Sequence, residues 1–207
     1  MDLVHELTER RVLAIVRADS AALALTCVRA LAAAGITALE VSLTTPDAIE
    51  AMATARSELD PSVLVGAGTV MTAEQANLVA EAGAGFVVTP ADTPGGRRAA
   101  LMGLPVLSGA LTPTEMVAAM EYGATAIKLF PASLHGPSYV RELRGPFPAL
   151  PIVAVGGIDA KLAPEYLAAG AFAVGVGSPL IGDAGRGGDP AGIGARVRDL
   201  LAAVSGG

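Results

Sequence analysis

The stretch Thr37-Ala38-Leu39-Glu40-Val41-Ser42-Leu43 alternates strictly, with Leu39, Val41 and Leu43 in one phase and Ala38, Glu40 and Ser42 in the other. A period of two is that of a β-strand whose successive side chains point to opposite faces. Ala124-Thr125-Ala126-Ile127-Lys128-Leu129-Phe130 repeats the pattern, with Ile127 and Leu129 opposite Ala126, Lys128 and Phe130. In the middle of an open parallel sheet helices cover both faces, and strands read as continuous apolar runs. In a closed barrel the large aliphatic phase faces the helices and the small or polar phase faces the axis. The alternation therefore selects a barrel and places Glu40 and Lys128 in one narrow interior.

Outward from these two stretches, short apolar runs alternate with Ala-rich amphipathic segments. Strands are predicted over 12–17, 37–43, 63–67, 85–89, 105–108, 124–130, 152–155 and 172–176. The intervening segments 21–34, 47–58, 73–82, 94–102, 113–122, 137–143, 161–169 and 192–204 read as helices. Capping residues mark many helix starts, as at Thr45-Pro46, Thr72, Thr93-Pro94, Thr112-Pro113 and Asp159. Gly35, Gly83, Gly103, Gly123 and Gly170 sit where a left-handed residue closes a helix. The unit recurs about every 20 to 30 residues, the length of a βα repeat. The expected fold is α/β: a compact (β/α)8 TIM barrel with an N-terminal helix, as a single domain spanning 1–207.

Composition narrows the function classes. The chain of 207 residues is 52% hydrophobic and 16% charged, as an ordered globular protein is. Net charge of −6 and the absence of Trp argue against nucleic-acid binding, which needs a basic footprint and stacking rings. No apolar run reaches the length of a membrane span, and the mixed-charge N-terminus is unlike a signal peptide, so a cytoplasmic location is expected. Cys27 is the only cysteine and reads as core packing. His5 and His135 lie far apart with no third ligand in pattern, so neither a metal site nor a cofactor is expected.

The fourteen basic residues are twelve arginines and only two lysines, Lys128 and Lys161. At the inward position the chain has used the one cationic side chain that can lose its proton and attack a carbonyl. A neutral Lys128 amine would add to a ketone to give an imine, and the Glu40 carboxylate would move the protons. A buried Lys–Glu ion pair that only fixes the strands would use the same two residues. Function in a barrel gathers at the C-terminal strand ends, which collects Arg17, Thr69, Thr89-Pro90, Ser108, Phe130 and two glycine motifs. Gly156-Gly157 follows the seventh strand and Gly177-Ser178 the eighth; such glycines can simply provide tight turns, but two motifs in register there favour the phosphate site that backbone amides form in many barrels. Arg17 suits bidentate capture of a carboxylate or phosphate, or an ordinary surface salt bridge, and Thr69, after Gly66-Ala67-Gly68, offers a hydroxyl donor. The glycines at 66 and 68 would allow close ligand approach or simply a turn. His135 reads as incidental, and 182–190 reads as a flexible loop.

As an ordered set, Leu39-Glu40-Val41, Gly66-Ala67-Gly68-Thr69-Val70, Thr89-Pro90, Lys128-Leu129-Phe130-Pro131-Ala132, Gly156-Gly157-Ile158 and Gly177-Ser178 resemble the class I aldolases for 2-keto-3-deoxy-6-phosphogluconate and related acids, including 4-hydroxy-2-oxoglutarate. The likeness runs over about 12–180. It implies Lys128 as the Schiff-base lysine, Glu40 as general acid/base, Thr69 as a contact to the pyruvyl end, Pro90 and Phe130 as pocket walls, and Gly156, Gly157, Gly177 and Ser178 as the phosphate site. It further implies a metal-free homotrimer acting on a phosphorylated keto acid and pyruvate. Three positions depart from the gluconate pattern: Thr44 in place of an arginine, Ser108 in place of a proline, and Val155 in place of a threonine. Val155 looks closer to aldolases for the C4 epimer, 2-keto-3-deoxy-6-phosphogalactonate. Other functions weighed are a phosphate-binding isomerase or thiamine-phosphate-type synthase, which needs an Asp cluster not found here, and a non-catalytic sugar-phosphate binder.

Overall fold

Eight parallel strands close into a barrel in sequence order in the computed structural model, which describes residues 2–205. They are β1 Val12–Val16, β2 Ala38–Ser42, β3 Leu64–Gly68, β4 Val87–Val88, β5 Val106–Ala110, β6 Ala126–Leu129, β7 Ile152–Val155 and β8 Ala173–Val176. Pairing of β1 with β8 closes the ring, with Val12 opposite Val174. Around it run α2 Ala21–Ala33, α3 Ala48–Glu58, α4 Ala73–Glu81, α5 Pro94–Leu101, α6 Pro113–Glu121, α7 Pro137–Leu143 and α8 Ala163–Ala168, with α1 Leu3–Arg10 ahead of the barrel and α9 Ser178–Ile181 and α10 Ile193–Ser205 after it. Met1, Gly206 and Gly207 of the expected 1–207 unit lie outside the described residues.

The alternation read from the sequence becomes two separate packing layers. Leu39, Val41, Ile127 and Leu129 join the shell between strands and helices. Ala38, Ala126, Leu13, Phe86, Leu107 and Val153 fill the barrel interior instead. Leu3 and Leu7 of α1 belong to that interior cluster, so the N-terminal helix stoppers the barrel at the end opposite the C-terminal strand ends. Each such leucine contributes roughly 1.5–3 kcal/mol through burial.

Local signals hold in most places. Thr72 and Thr112 form capping boxes with Gln75 and Glu115, and Thr93 caps α5 ahead of Pro94. The five helix-closing glycines all have positive φ. Thr45 is a correction. Asp47 occupies the N-cap of α3, while the buried Thr45 hydroxyl accepts the Ala18 N–H at 3.0 Å and ties the loop after β2 to the loop after β1. The β4 strand is shorter than the predicted 85–89, and beyond it the Pro90 backbone lies against Gly109 so closely that a Cβ there would stand 2.1 Å from it. The segment 182–190, expected as a flexible loop, folds into two short 3-10 turns, at Ala184–Arg186 and Pro190–Gly192. The Asp19 N–H donates to the Gly185 carbonyl and clips this segment to the end of β1. No helix among the described residues is long and apolar enough to cross a membrane.

Candidate active site

The C-terminal strand ends surround a cavity of about 720 Å³. Ten of the residues singled out from the sequence line it, Arg17, Glu40, Thr69, Pro90, Lys128, Phe130, Gly156, Gly157, Gly177 and Ser178, whereas Thr89 does not. A cleft of about 460 Å³ at Thr8, Arg11 and Phe172 contains none of them.

The floor holds the charged pair. Glu40 is 1% exposed and Lys128 7%. Lys128 Nζ stands 3.9 Å from Glu40 Oε1, which is beyond hydrogen-bond range, and Glu40 Oε2 has no hydrogen-bond partner. A pair retained only to fix strands would close and satisfy its oxygens, because an unpaired buried polar atom costs about 1–3 kcal/mol. This pair is instead held at ion-pair distance without a direct hydrogen bond, facing the cavity. Burial pushes the Glu40 carboxyl above its ordinary pKa, and the pull of Lys128 and then Arg17 in the opposite direction does not overcome it. A carboxyl so raised can exchange protons nearer neutrality, as acid/base work requires.

The glycines of the third strand now have a physical reason. A Cβ at Gly66 would lie 2.5 Å from the Phe86 ring, and one at Gly68 would lie 2.6 Å from Glu40 Oε1. Both lie within β3 rather than in a turn, and Gly66 makes room for a core ring and Gly68 for the carboxylate. Beyond Gly68, Thr69 has φ 60, a left-handed conformation costly for a β-branched residue. Its hydroxyl lies 3.0 Å from Ser42 Oγ, Ser42 Oγ lies 2.9 Å from Thr44 Oγ1, and the Arg17 Nε–H donates to Thr44 Oγ1 at 3.0 Å.

The upper walls differ in character. Phe130, 40% exposed, presents its ring 5.5 Å from Lys128 Nζ. Gly156 and Gly157 have positive φ, and Ser133 packs so closely that a Cβ at 157 would meet it at 2.6 Å, so the turn itself requires glycine there. Gly177 is different: its φ is −108, and a Cβ would meet only Ile15, at 3.5 Å. A Cβ would have room at 177, so packing alone does not demand glycine there, and the residue lines the cavity.

Among residues that sequence reasoning did not place in the site, Ile15, Asp19, Gly175 and Arg186 also line the cavity. Gly175 gives way to Val155, since a Cβ there would lie 2.6 Å from its Cγ2. Val155 lines the cavity as well, whereas Ser108 does not: it pairs beside Ile127 on the helix-facing side of β5, next to Tyr122. His135 packs against Tyr139, with ring centroids 4.9 Å apart, and is not part of the lining. Cys27 is fully buried in the outer core. Among the described residues no three His, Cys, Asp or Glu side chains gather as a metal cluster.

Comparison with known proteins identifies the family of the chain. Residues 3–193 match the family described as KDPG and KHG aldolase. A probable 2-dehydro-3-deoxy-6-phosphogalactonate aldolase of Rhizobium meliloti (strain 1021) is 38% identical over 83% of this chain and 82% of its own length. A 2-dehydro-3-deoxy-phosphogluconate aldolase of Treponema pallidum (strain Nichols) is 39% identical over 81% of each chain. Among solved structures, KDPG aldolase from Legionella pneumophila, with pyruvate captured at low pH as a covalent carbinolamine intermediate, superposes with a TM-score of 0.85 at 28% identity and covers 98% of both chains.

Proposed function

The chain belongs to the KDPG and KHG aldolase family, and from that premise we propose how its own residues divide the work of the reaction. The protein is a Schiff-base aldolase, a carbon–carbon lyase that cleaves a 2-keto-3-deoxy-6-phospho sugar acid to pyruvate and glyceraldehyde 3-phosphate. In our reading the Lys128 amine attacks the C2 ketone to give a carbinolamine, which loses water to an iminium ion. Glu40 takes the proton of the C4 hydroxyl as the C3–C4 bond breaks, and the bond's electrons pass into the iminium to form an enamine. Protonation at C3 and addition of water then release pyruvate and restore the lysine.

The observation that carries this assignment is the open pair on the cavity floor, with 3.9 Å between Nζ and Oε1 and an unpartnered Oε2. It gives the amine a proton carrier without locking the two together. Thr69 and Arg17 take the carboxylate end, Pro90 and Phe130 wall the pocket, and the amides of Gly156, Gly157, Gly177 and Ser178 receive the phosphate. The family resemblance further supports a cytoplasmic homotrimer built from a single 1–207 domain.

Substrate preference falls to Val155. An aliphatic side chain on the cavity wall offers no hydrogen bond to a substrate hydroxyl, and we assign the chain a preference for the galactonate phosphate. Pyruvate release from the gluconate and galactonate phosphates, measured in parallel, tests this. Faster release from galactonate is expected, and a gluconate preference would overturn the assignment.

A further inference from the structure

We propose that Ser42 and Thr44 are positioning residues: a chain of hydroxyls that ties the Arg17 guanidinium to the Thr69 hydroxyl and so orients the donor that holds the keto-acid end of the substrate. This rests on the reading of the pocket given above.

The chain is continuous. Arg17 Nε lies 3.0 Å from Thr44 Oγ1, Thr44 Oγ1 lies 2.9 Å from Ser42 Oγ, and Ser42 Oγ lies 3.0 Å from Thr69 Oγ1. Its direction follows from chemistry. A guanidinium has only donors, so Thr44 Oγ1 accepts at that contact. Accepting from a cation polarises the Thr44 hydroxyl and makes its own proton a stronger donor, which directs that proton to Ser42 Oγ. Ser42 then donates to Thr69 Oγ1. The Thr69 proton is left for an acceptor in the cavity that Thr69 lines. A carboxylate, which is acceptor-only, is the group that such a donor fits.

Two further observations agree. Thr69 is held at φ 60, where the surroundings must over-determine the backbone of a β-branched residue; the Leu43 N–H to Gly68 O bond at 2.8 Å and the Val70 N–H to Val88 O bond at 3.3 Å pin the chain on both sides. Ser42 is completely buried and Thr44 is exposed, and neither lines the cavity. Both therefore reach substrate only through Thr69 and Arg17.

The test compares the apparent KM for pyruvate with kcat, read from exchange of the pyruvate methyl protons into heavy water. Wild-type protein is first treated with pyruvate and borohydride to establish that Lys128 forms the adduct. Thr44→Val and Ser42→Ala are each expected to raise KM about tenfold with kcat changed by less than about threefold, the size of one hydrogen bond within a charged chain. Thr44→Ser, which keeps the hydroxyl, restores a near-wild-type KM. In a Thr69→Val background Ser42→Ala adds no further loss, because the chain no longer has an end. An unchanged KM in Thr44→Val, an equal loss in Thr44→Ser, or full additivity of Ser42→Ala with Thr69→Val overturns the proposal. Thr44 is exposed, so its two variants decide the matter even where the buried Ser42→Ala folds poorly. Absence of the wild-type adduct overturns the pocket reading along with this inference, whereas an adduct with unchanged KM overturns the inference alone.

Discussion

The two ends of the barrel are built from the same alternating strands and spend them differently. At the closed end, Leu3 and Leu7 of the N-terminal helix pack on Leu13, Phe86 and Ala173, all apolar and almost fully buried. At the open end the same inward phase carries Glu40 and Lys128, with an orphaned carboxylate oxygen, and the chain beyond β3 holds a left-handed threonine. Each of the open end's features costs stability, on the order of 1–3 kcal/mol apiece. The closed end supplies packing that offsets them. The contrast teaches that the barrel is a stable base carrying a strained and poorly satisfied rim, and that the rim is where chemistry sits.

Removing a group from either end should therefore read out differently. Glu40→Gln is expected to lower turnover about 10²- to 10⁴-fold, the usual contribution of general acid–base catalysis, while leaving the fold intact. Its pH signature is distinct. Because burial raises the Glu40 pKa in the folded protein, the folded state holds this proton more tightly than the unfolded state, so stability falls as pH rises from the ordinary glutamate value of about 4.3 through the raised pKa. Thermal melts across that window should show the fall in wild type and its loss in Glu40→Gln. Leu7→Ala does the reverse: about 2–5 kcal/mol of stability is lost at the closed end, seen in denaturant unfolding, with kcat unchanged in the fraction that remains folded. A Leu7→Ala variant with normal stability, or a Glu40→Gln variant as unstable as Leu7→Ala, would undo the division between the ends. The smallest effect is expected at Val155→Thr, which adds one hydroxyl to the wall. The ratio of galactonate to gluconate cleavage should shift toward gluconate by about tenfold or less, while total turnover stays within the same range.

What could be read from the sequence follows the same line. Alternation is local, so 37–43 and 124–130 were enough to choose a closed barrel and to point Glu40 and Lys128 inward. The rule that function gathers at C-terminal strand ends then collected ten residues that the structure brings to one cavity, together with Thr44, Thr89 and Ser108, which lie outside it. What escaped depends on neighbours distant in the chain. Gly68 is glycine because of Glu40 on the adjacent strand, and Gly66 because of Phe86, contacts that no local spacing reveals. Thr45 carried the signature of a helix cap, yet its hydroxyl is used by Ala18, twenty-seven residues earlier. The glycines of 182–190 read as breakers, but the Gly185 carbonyl is fastened to the Asp19 amide, and a Cβ at 185 would stand 2.5 Å from the Arg17 carbonyl oxygen. Ser42 and Thr44 were visible as small polar residues near Glu40. Their linkage to Arg17 and Thr69 needed three strands to be brought together.

The central claim is that Lys128, on the cavity floor at the open end, forms the covalent bond. Pyruvate with borohydride, followed by peptide mass mapping, tests it most directly. A reduced pyruvyl adduct on Lys128 alone, absent from a folded and inactive Lys128→Arg variant, is the predicted result. An adduct on Lys161, or unmodified protein that still releases pyruvate from the phosphorylated acid, would contradict it.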